Sequence, residues 1–149
     1  MGLITGERTI EIAAPADDCF AVAADLERAV SWQSTLQDVD VHERDSKGRP
    51  VVATLKSDAK VRTITARWRI DYAEYTRIAW QQDKGDVKAL RGSWTFVEAG
   101  DLTRATYALE VDPGRMLGLL LRGPGMVDKV RDYLLDGAAG GLKQQVERR

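Results

Sequence analysis

Trp68, Trp80 and Trp94 each share the parity of the apolar residues around them in segments that alternate with a period of two. A fourth tryptophan, Trp32, stands just after a short helical stretch. Burying one such ring removes about 150–250 Å² from water, an upper bound of roughly 4–6 kcal/mol each. Tyr72 and Tyr107 share the inward parity and add hydroxyl donors to an otherwise apolar face. In the stretch KALRGSWTFVEAGDLTRATYALEV (88–111), Gly92 interrupts the row Leu90, Trp94 and Phe96. Flat rings beside an absent side chain imply one of two things. Either another element approaches closely there, or space is left for a ligand. The row is read as a ligand wall with Gly92 as ligand space.

Other chemistry-bearing residues form no catalytic set. His42 is the one histidine and stands beside acids at a strand end, so a Ser/His/Asp triad has no partner for it. Cys19 is the one cysteine, which excludes an intramolecular disulfide and a cysteine zinc cluster. Asp38 and Asp40 point away from the inward Val39 and Val41. Asp128, Asp132 and Asp136 recur every four residues as a solvated helix stripe. No Gly-x-Gly-x-x-Gly or phosphate loop occurs. No catalytic residue, metal ligand or cofactor is therefore assigned.

The 149 residues suit one domain over 1–149, long enough to bury a core. Apolar residues are 44 % and charged ones 30 %, and 22 basic against 23 acidic residues leave a net charge of −1. That balance argues against a broad nucleic-acid face. The N-terminus lacks a basic region followed by an apolar run, and MLGLLL (116–121) is far shorter than a membrane span. The expected location is the cytoplasm, with no integral membrane segment; transient membrane contact and the oligomeric state stay open.

The elements that would position the tryptophans follow from the period. ERTIEIA (7–13) alternates as a strand. After it, Pro15 opens a helix with Asp17 and Asp18 at its positive end, and Asp25 caps a second short helix carrying Leu26 and Val30. From about 36 to 112 the period is two, giving six strands joined by short turns. Beyond Gly123 and Pro124, Met126, Val130, Leu134, Leu142 and Val146 mark one amphipathic helix. Its stretch DGAAGG (136–141) is unusually small, yet the apolar stripe stays in phase across it. The expected fold class is α+β: a seven-stranded curved antiparallel sheet around a long C-terminal helix, with two short helices between strands 1 and 2.

This order resembles the SRPBCC superfamily, the START-related, Bet v-like helix-grip proteins. The opening IEIAAPADDCFAVAADLERAVSWQ and the closing LRGSWTFVEAGDLTRATYALEVDPG carry the resemblance. The chain is similar to the bacterial polyketide cyclase/dehydrase and lipid transport branch, which includes coenzyme Q-binding START-like proteins. The resemblance implies an apolar cavity between sheet and long helix, used to carry lipids, hold quinones or fold polyketide chains. Aromatase/cyclase relatives use an inward Arg and a hydroxyl. Thr65 and Arg67 occupy a comparable strand here, but their parity is outward unless a bulge inverts it, and Arg91 is likewise outward.

The expected function is binding or transport of a hydrophobic or aromatic small molecule: a lipid, quinone or polyketide-like compound. Trp32, Trp68, Tyr72, Trp80, Leu90, Gly92, Trp94 and Tyr107 would form the sheet side of the site. Met126, Val130 and Leu134 would close it from the helix, with Met116 and Leu120 in a mobile mouth at 116–121. An empty pocket of about 300 Å³ would cost roughly 7 kcal/mol, so the cavity must be smaller, hydrated or occupied. The alternatives are a polyketide aromatase/cyclase or dehydratase in the same cavity, and a protein-interaction module of the ribosome-association toxin type docking through MLGLLL.

Overall fold

The computed structural model describes residues 3–148. Strand β1 (Ile4–Ile12) is followed by helices α1 (Ala16–Ala24) and α2 (Leu26–Ala29). Six strands follow: β2 (Leu36–Arg44), β3 (Pro50–Asp58), β4 (Thr63–Ala73), β5 (Arg77–Gly85), β6 (Ala89–Ala99) and β7 (Leu102–Asp112). Helices α3 (Gly114–Leu120) and α4 (Met126–Glu147) close the chain. The seven strands form one antiparallel sheet in the order β1-β7-β6-β5-β4-β3-β2. Helices α1 and α2 therefore carry the chain from one edge of the sheet to the other. This is the expected α+β helix-grip architecture.

Alternation along the strands sets which face is dry. Ile64, Ala66, Trp68 and Ile70 of β4 are all buried, as are Ala105, Tyr107, Leu109 and Val111 of β7. Helix α4 runs unbroken for 22 residues, roughly 33 Å, straight through Gly137–Gly141. It packs chiefly on β1, with α1 and β7 as further neighbours. Helix α1 lies on β5, β6 and β7 and α2 on β2, so the two short helices share the cover of the sheet with α4.

The small residues of α4 have a structural cause. A Cβ on Gly141 would collide with the Trp32 carbonyl oxygen, and one on Gly137 would stand 2.8 Å from Thr35 Cγ2. The turn after α2 thus lies directly on the helix backbone, and only glycine permits that approach. The small stretch DGAAGG thus marks a close contact: the Trp32–Thr35 turn fills that side of the helix.

Candidate functional site

The aromatic row of the sheet assembles under α1 and α2. Across β5 and β6, Trp80 pairs with Gly92 and Ile78 with Trp94; across β6 and β7, Trp94 pairs with Tyr107. Trp68 and Trp80 stack with centroids 5.1 Å apart and 6° between planes. Tyr107 tilts against both Trp80, at 5.7 Å, and Trp94, at 4.8 Å. From the helical side come Ala23, Leu26 and Ala29, then Trp32 and Gln33 of the following turn. Between these layers lies a cavity of about 20 Å³. That is space for one water, at the small end of what the stability argument allowed.

The walls hold hydrogen-bonding capacity that the protein does not use. The indole Nε1 atoms of Trp32, Trp68 and Trp80 are buried with no acceptor. Leaving a buried donor unpaired costs about 1–3 kcal/mol. Tyr107 is the one ionisable residue among those lining the cavity. Burial pushes its hydroxyl far above the usual phenol range, with the Gln33 side chain acting more weakly the other way. It stays a neutral donor at ordinary pH. Among the described residues, no cationic or acidic side chain lines the cavity.

Of the residues expected at the site, Trp32, Trp68, Trp80, Trp94 and Tyr107 line this cavity. The others lie elsewhere. Tyr72 donates its hydroxyl to the Pro50 carbonyl at 2.6 Å, and Arg49 lies 4.6 Å over its ring. Leu90 is buried opposite Val111, farther along β6. Val130 is core, Met126 and Leu134 are packed against it, and Met116 and Leu120 are exposed. On the side of the cover, Leu26, Trp32 and Gln33 are the partly exposed residues lining the cavity, and residues 116–121 do not line it. Ile70 and Ile78 line the cavity and were visible by parity. Gln33, in an irregular turn, carried no sequence signal.

Gly92 leaves no ligand space. A Cβ there would stand 2.5 Å from Trp80 Cζ2 and 2.7 Å from its Nε1, because the Trp80 indole lies over the glycine of the neighbouring strand. The missing side chain makes room for a ring of the protein itself.

The outward groups are held at the surface. The β4–β5 register slips between Arg67 and Trp68, but the extra residue, Asp83, belongs to β5. Arg67 keeps its outward parity and binds Asp83 at 2.9 Å, with Arg69 on the same carboxylate at 3.0 Å. These partners hold the Asp83 carboxyl below its usual range, the Arg67 hydrogen bond contributing most. Arg91 pairs with Glu110 and the exposed His42 with Thr54. Arg8 bridges Asp132 and Asp136 and Arg131 bridges Asp128 and Asp132, so this acidic stripe is a surface ion-pair network. Cys19 is fully buried, and burial raises its thiol above the usual value.

The profile of the family described as polyketide cyclase/dehydrase and lipid transport matches residues 12–132. The chain belongs to that family. Similar solved structures of the fold include a START superfamily protein from Mycobacterium smegmatis, 24 % identical with a TM-score of 0.83 over 99 % of both chains. The Zhui aromatase/cyclase from Streptomyces sp. R1128 is 19 % identical with a TM-score of 0.81, over 99 % of this chain and 96 % of that one. A protein from Thermus thermophilus is 21 % identical with a TM-score of 0.80, over 97 % of each. No curated protein matches the chain. The family membership puts the aromatic slot in a fold whose family is described by polyketide cyclase/dehydrase activity and lipid transport.

Proposed function

We propose that this protein binds a flat, neutral, hydrophobic small molecule bearing hydrogen-bond acceptors, a quinone or polyketide-like compound, between its aromatic sheet face and the α1–α2 cover. One observation carries the reading: three of the tryptophans that line one aromatic slot have buried indole N–H groups with no acceptor among the described residues. A carbonyl oxygen satisfies such a donor, whereas an alkyl chain leaves it unpaired. The slot also lacks a cation to hold a carboxylate, which disfavours a free fatty acid. At about 20 Å³ the cavity must widen to admit a ring system. The cover supplies the means, since α2 is four residues long and the Leu26–Gln33 segment lies outside the sheet ladder.

The aromatase/cyclase reading is favoured by one group, Tyr107, whose neutral hydroxyl could polarise a bound carbonyl. Among the described residues no basic side chain lines the slot to remove the α-carbon proton that must leave before ring closure. Binding is therefore the reading the geometry supports better.

The test is a calorimetric titration with 2-methyl-1,4-naphthoquinone and, as a shape control without oxygens, 2-methylnaphthalene. Saturable binding of the quinone at least about tenfold tighter than the hydrocarbon, a gap of about 1.4 kcal/mol, is expected. Equal affinities would reject the acceptor-bearing ligand. Binding of neither compound would reject the small-molecule reading itself.

A further inference from the structure

Three of the seven exposed large apolar side chains among the described residues stand on one short helix, α3. Met116 is 71 % exposed, Leu119 55 % and Leu120 46 %. At 3.6 residues per turn they fall within one arc of about 100°. The opposite side of the same segment, Leu117, Gly118 and Leu121, is buried. Helix α3 is therefore apolar on both sides: one side packs into the core and the other is left exposed by the described residues.

Charge around the helix is one-sided. Residues 113–127 hold two arginines and no acid, in a chain that is otherwise nearly balanced. Arg115 and Arg122 are exposed, and the ion pairs of the neighbouring elements, Lys88–Asp112, Arg91–Glu110 and Arg131–Asp128, include neither. The bordering acids are already taken, Asp112 by Lys88 at 3.9 Å and Asp128 by Arg131 at 3.0 Å. The exposed apolar side chains are thus flanked by uncompensated positive charge.

We propose that α3 is a peripheral docking element for an anionic lipid surface, with Met116, Leu119 and Leu120 entering the interface and Arg115 and Arg122 meeting the headgroups. No helix of the described chain is long and apolar enough to cross a membrane, so the contact is at the surface. A few exposed aliphatic side chains bordered by arginine combine apolar insertion with attraction to anionic lipid, the two contributions that hold a protein at a membrane surface. A stable protein interface takes about 20–30 residues a side, typically with aromatic anchors. Three aliphatic side chains fall well short of that, whereas a bilayer accepts them without shape complementarity. The inference does not depend on the ligand of the aromatic slot.

Co-flotation of the full chain with vesicles tests it. The lipids are phosphatidylcholine alone and phosphatidylcholine mixed with phosphatidylglycerol, each at low and high salt. Binding to the anionic vesicles, lost at high salt and weak on the neutral ones, is expected. The triple variant Met116→Ser/Leu119→Ser/Leu120→Ser should abolish it. The variant Arg115→Gln/Arg122→Gln should weaken it roughly thirtyfold, from about fivefold per cation near an anionic surface. Wild-type protein that stays unbound in all four conditions overturns the proposal. So does a triple variant that floats like the wild type. A dimer in sedimentation that the triple variant dissolves would assign the face to a second copy instead. Should the triple variant not fold, the arginine variant decides alone: unchanged binding to anionic vesicles overturns the proposal.

Discussion

At the residue scale, Gly92 shows how a sheet accommodates a ring larger than one pleat. The Trp80 indole stacks on Trp68 and lies over the Gly92 backbone, so the two residues form one packing unit. Gly92→Ala should therefore destabilise the protein by about 1–3 kcal/mol in denaturant melts, because the indole must move. In a Trp80→Leu background the same change should cost much less, the coupling expected of residues in contact. Equal costs in both backgrounds would show that the two do not act together. Arg67 is the counter-case, a residue of the right type on the wrong face. Bound to Asp83 outside the sheet, it should be dispensable for ligand binding. Calorimetry on Arg67→Ala should give a change within about 0.5 kcal/mol, the ordinary surface range.

At the scale of elements, the close approach of the 31–35 turn to α4 governs where the cover sits. Two adjacent glycines of α4 provide a matched comparison. Nothing lies within 4 Å of a Cβ placed on Gly140, whereas a Cβ on Gly141 meets the Trp32 carbonyl. Gly140→Ala should raise stability by about 0.5–1 kcal/mol, through helix propensity alone. Gly141→Ala should lower it and shift tryptophan emission, since Trp32 would be pushed from its place over the slot. Thermal melts with fluorescence readout distinguish the pair. Two similar effects would show that the turn does not depend on this contact. The same contact explains why a four-residue α2 can cover an aromatic slot: its C-terminal turn rests on a helix that is itself anchored along β1.

At the scale of the whole molecule, carboxylates tie elements together around the periphery. Arg8 of β1 holds Asp132 of α4, and Glu147 at the end of α4 accepts the backbone N–H of Ala13 at 2.9 Å. Asp45 and Glu74 gather Arg49 and Lys47 at the hairpin ends. The carboxyls of Asp45, Glu74, Asp83, Asp132 and Glu147 all lie below their ordinary values, chiefly through hydrogen bonds to these partners. A depressed folded-state pKa contributes stability that is complete above the unfolded value, about 3.9 for Asp and 4.3 for Glu. That contribution is lost as pH falls through the folded value. A Tm profile should thus be flat from about pH 8 to 5 and drop below about pH 4, more gently in high salt because the pairs are exposed. A Tm unchanged down to about pH 3 would show that these pairs contribute nothing to the folded state.

The sequence by itself determined the strand and helix order, the inward parity of Trp68, Trp80, Trp94 and Tyr107, and the family. These follow from periods of two and 3.6 and from turn residues, which are properties of neighbouring positions. For Arg67 it gave an outward parity only if β4 carried no bulge, and the structure settled that, because the register slip falls on β5 and leaves the parity of β4 intact. Only the tertiary structure decided what the small residues are for. A gap at Gly92 and a glycine-rich turn of α4 look alike in sequence whether the space is empty or taken. Here the Trp80 ring takes one and the Trp32 backbone the other. The tertiary structure likewise put the cavity under α1 and α2 and away from Met126, Val130 and Leu134. Helix periodicity says which face of α4 is buried, but not which strands it lies on. The unpaired indole donors were beyond the sequence for the same reason. Whether a buried N–H finds an acceptor depends on atoms from separate segments coming together, and no local pattern encodes that distance.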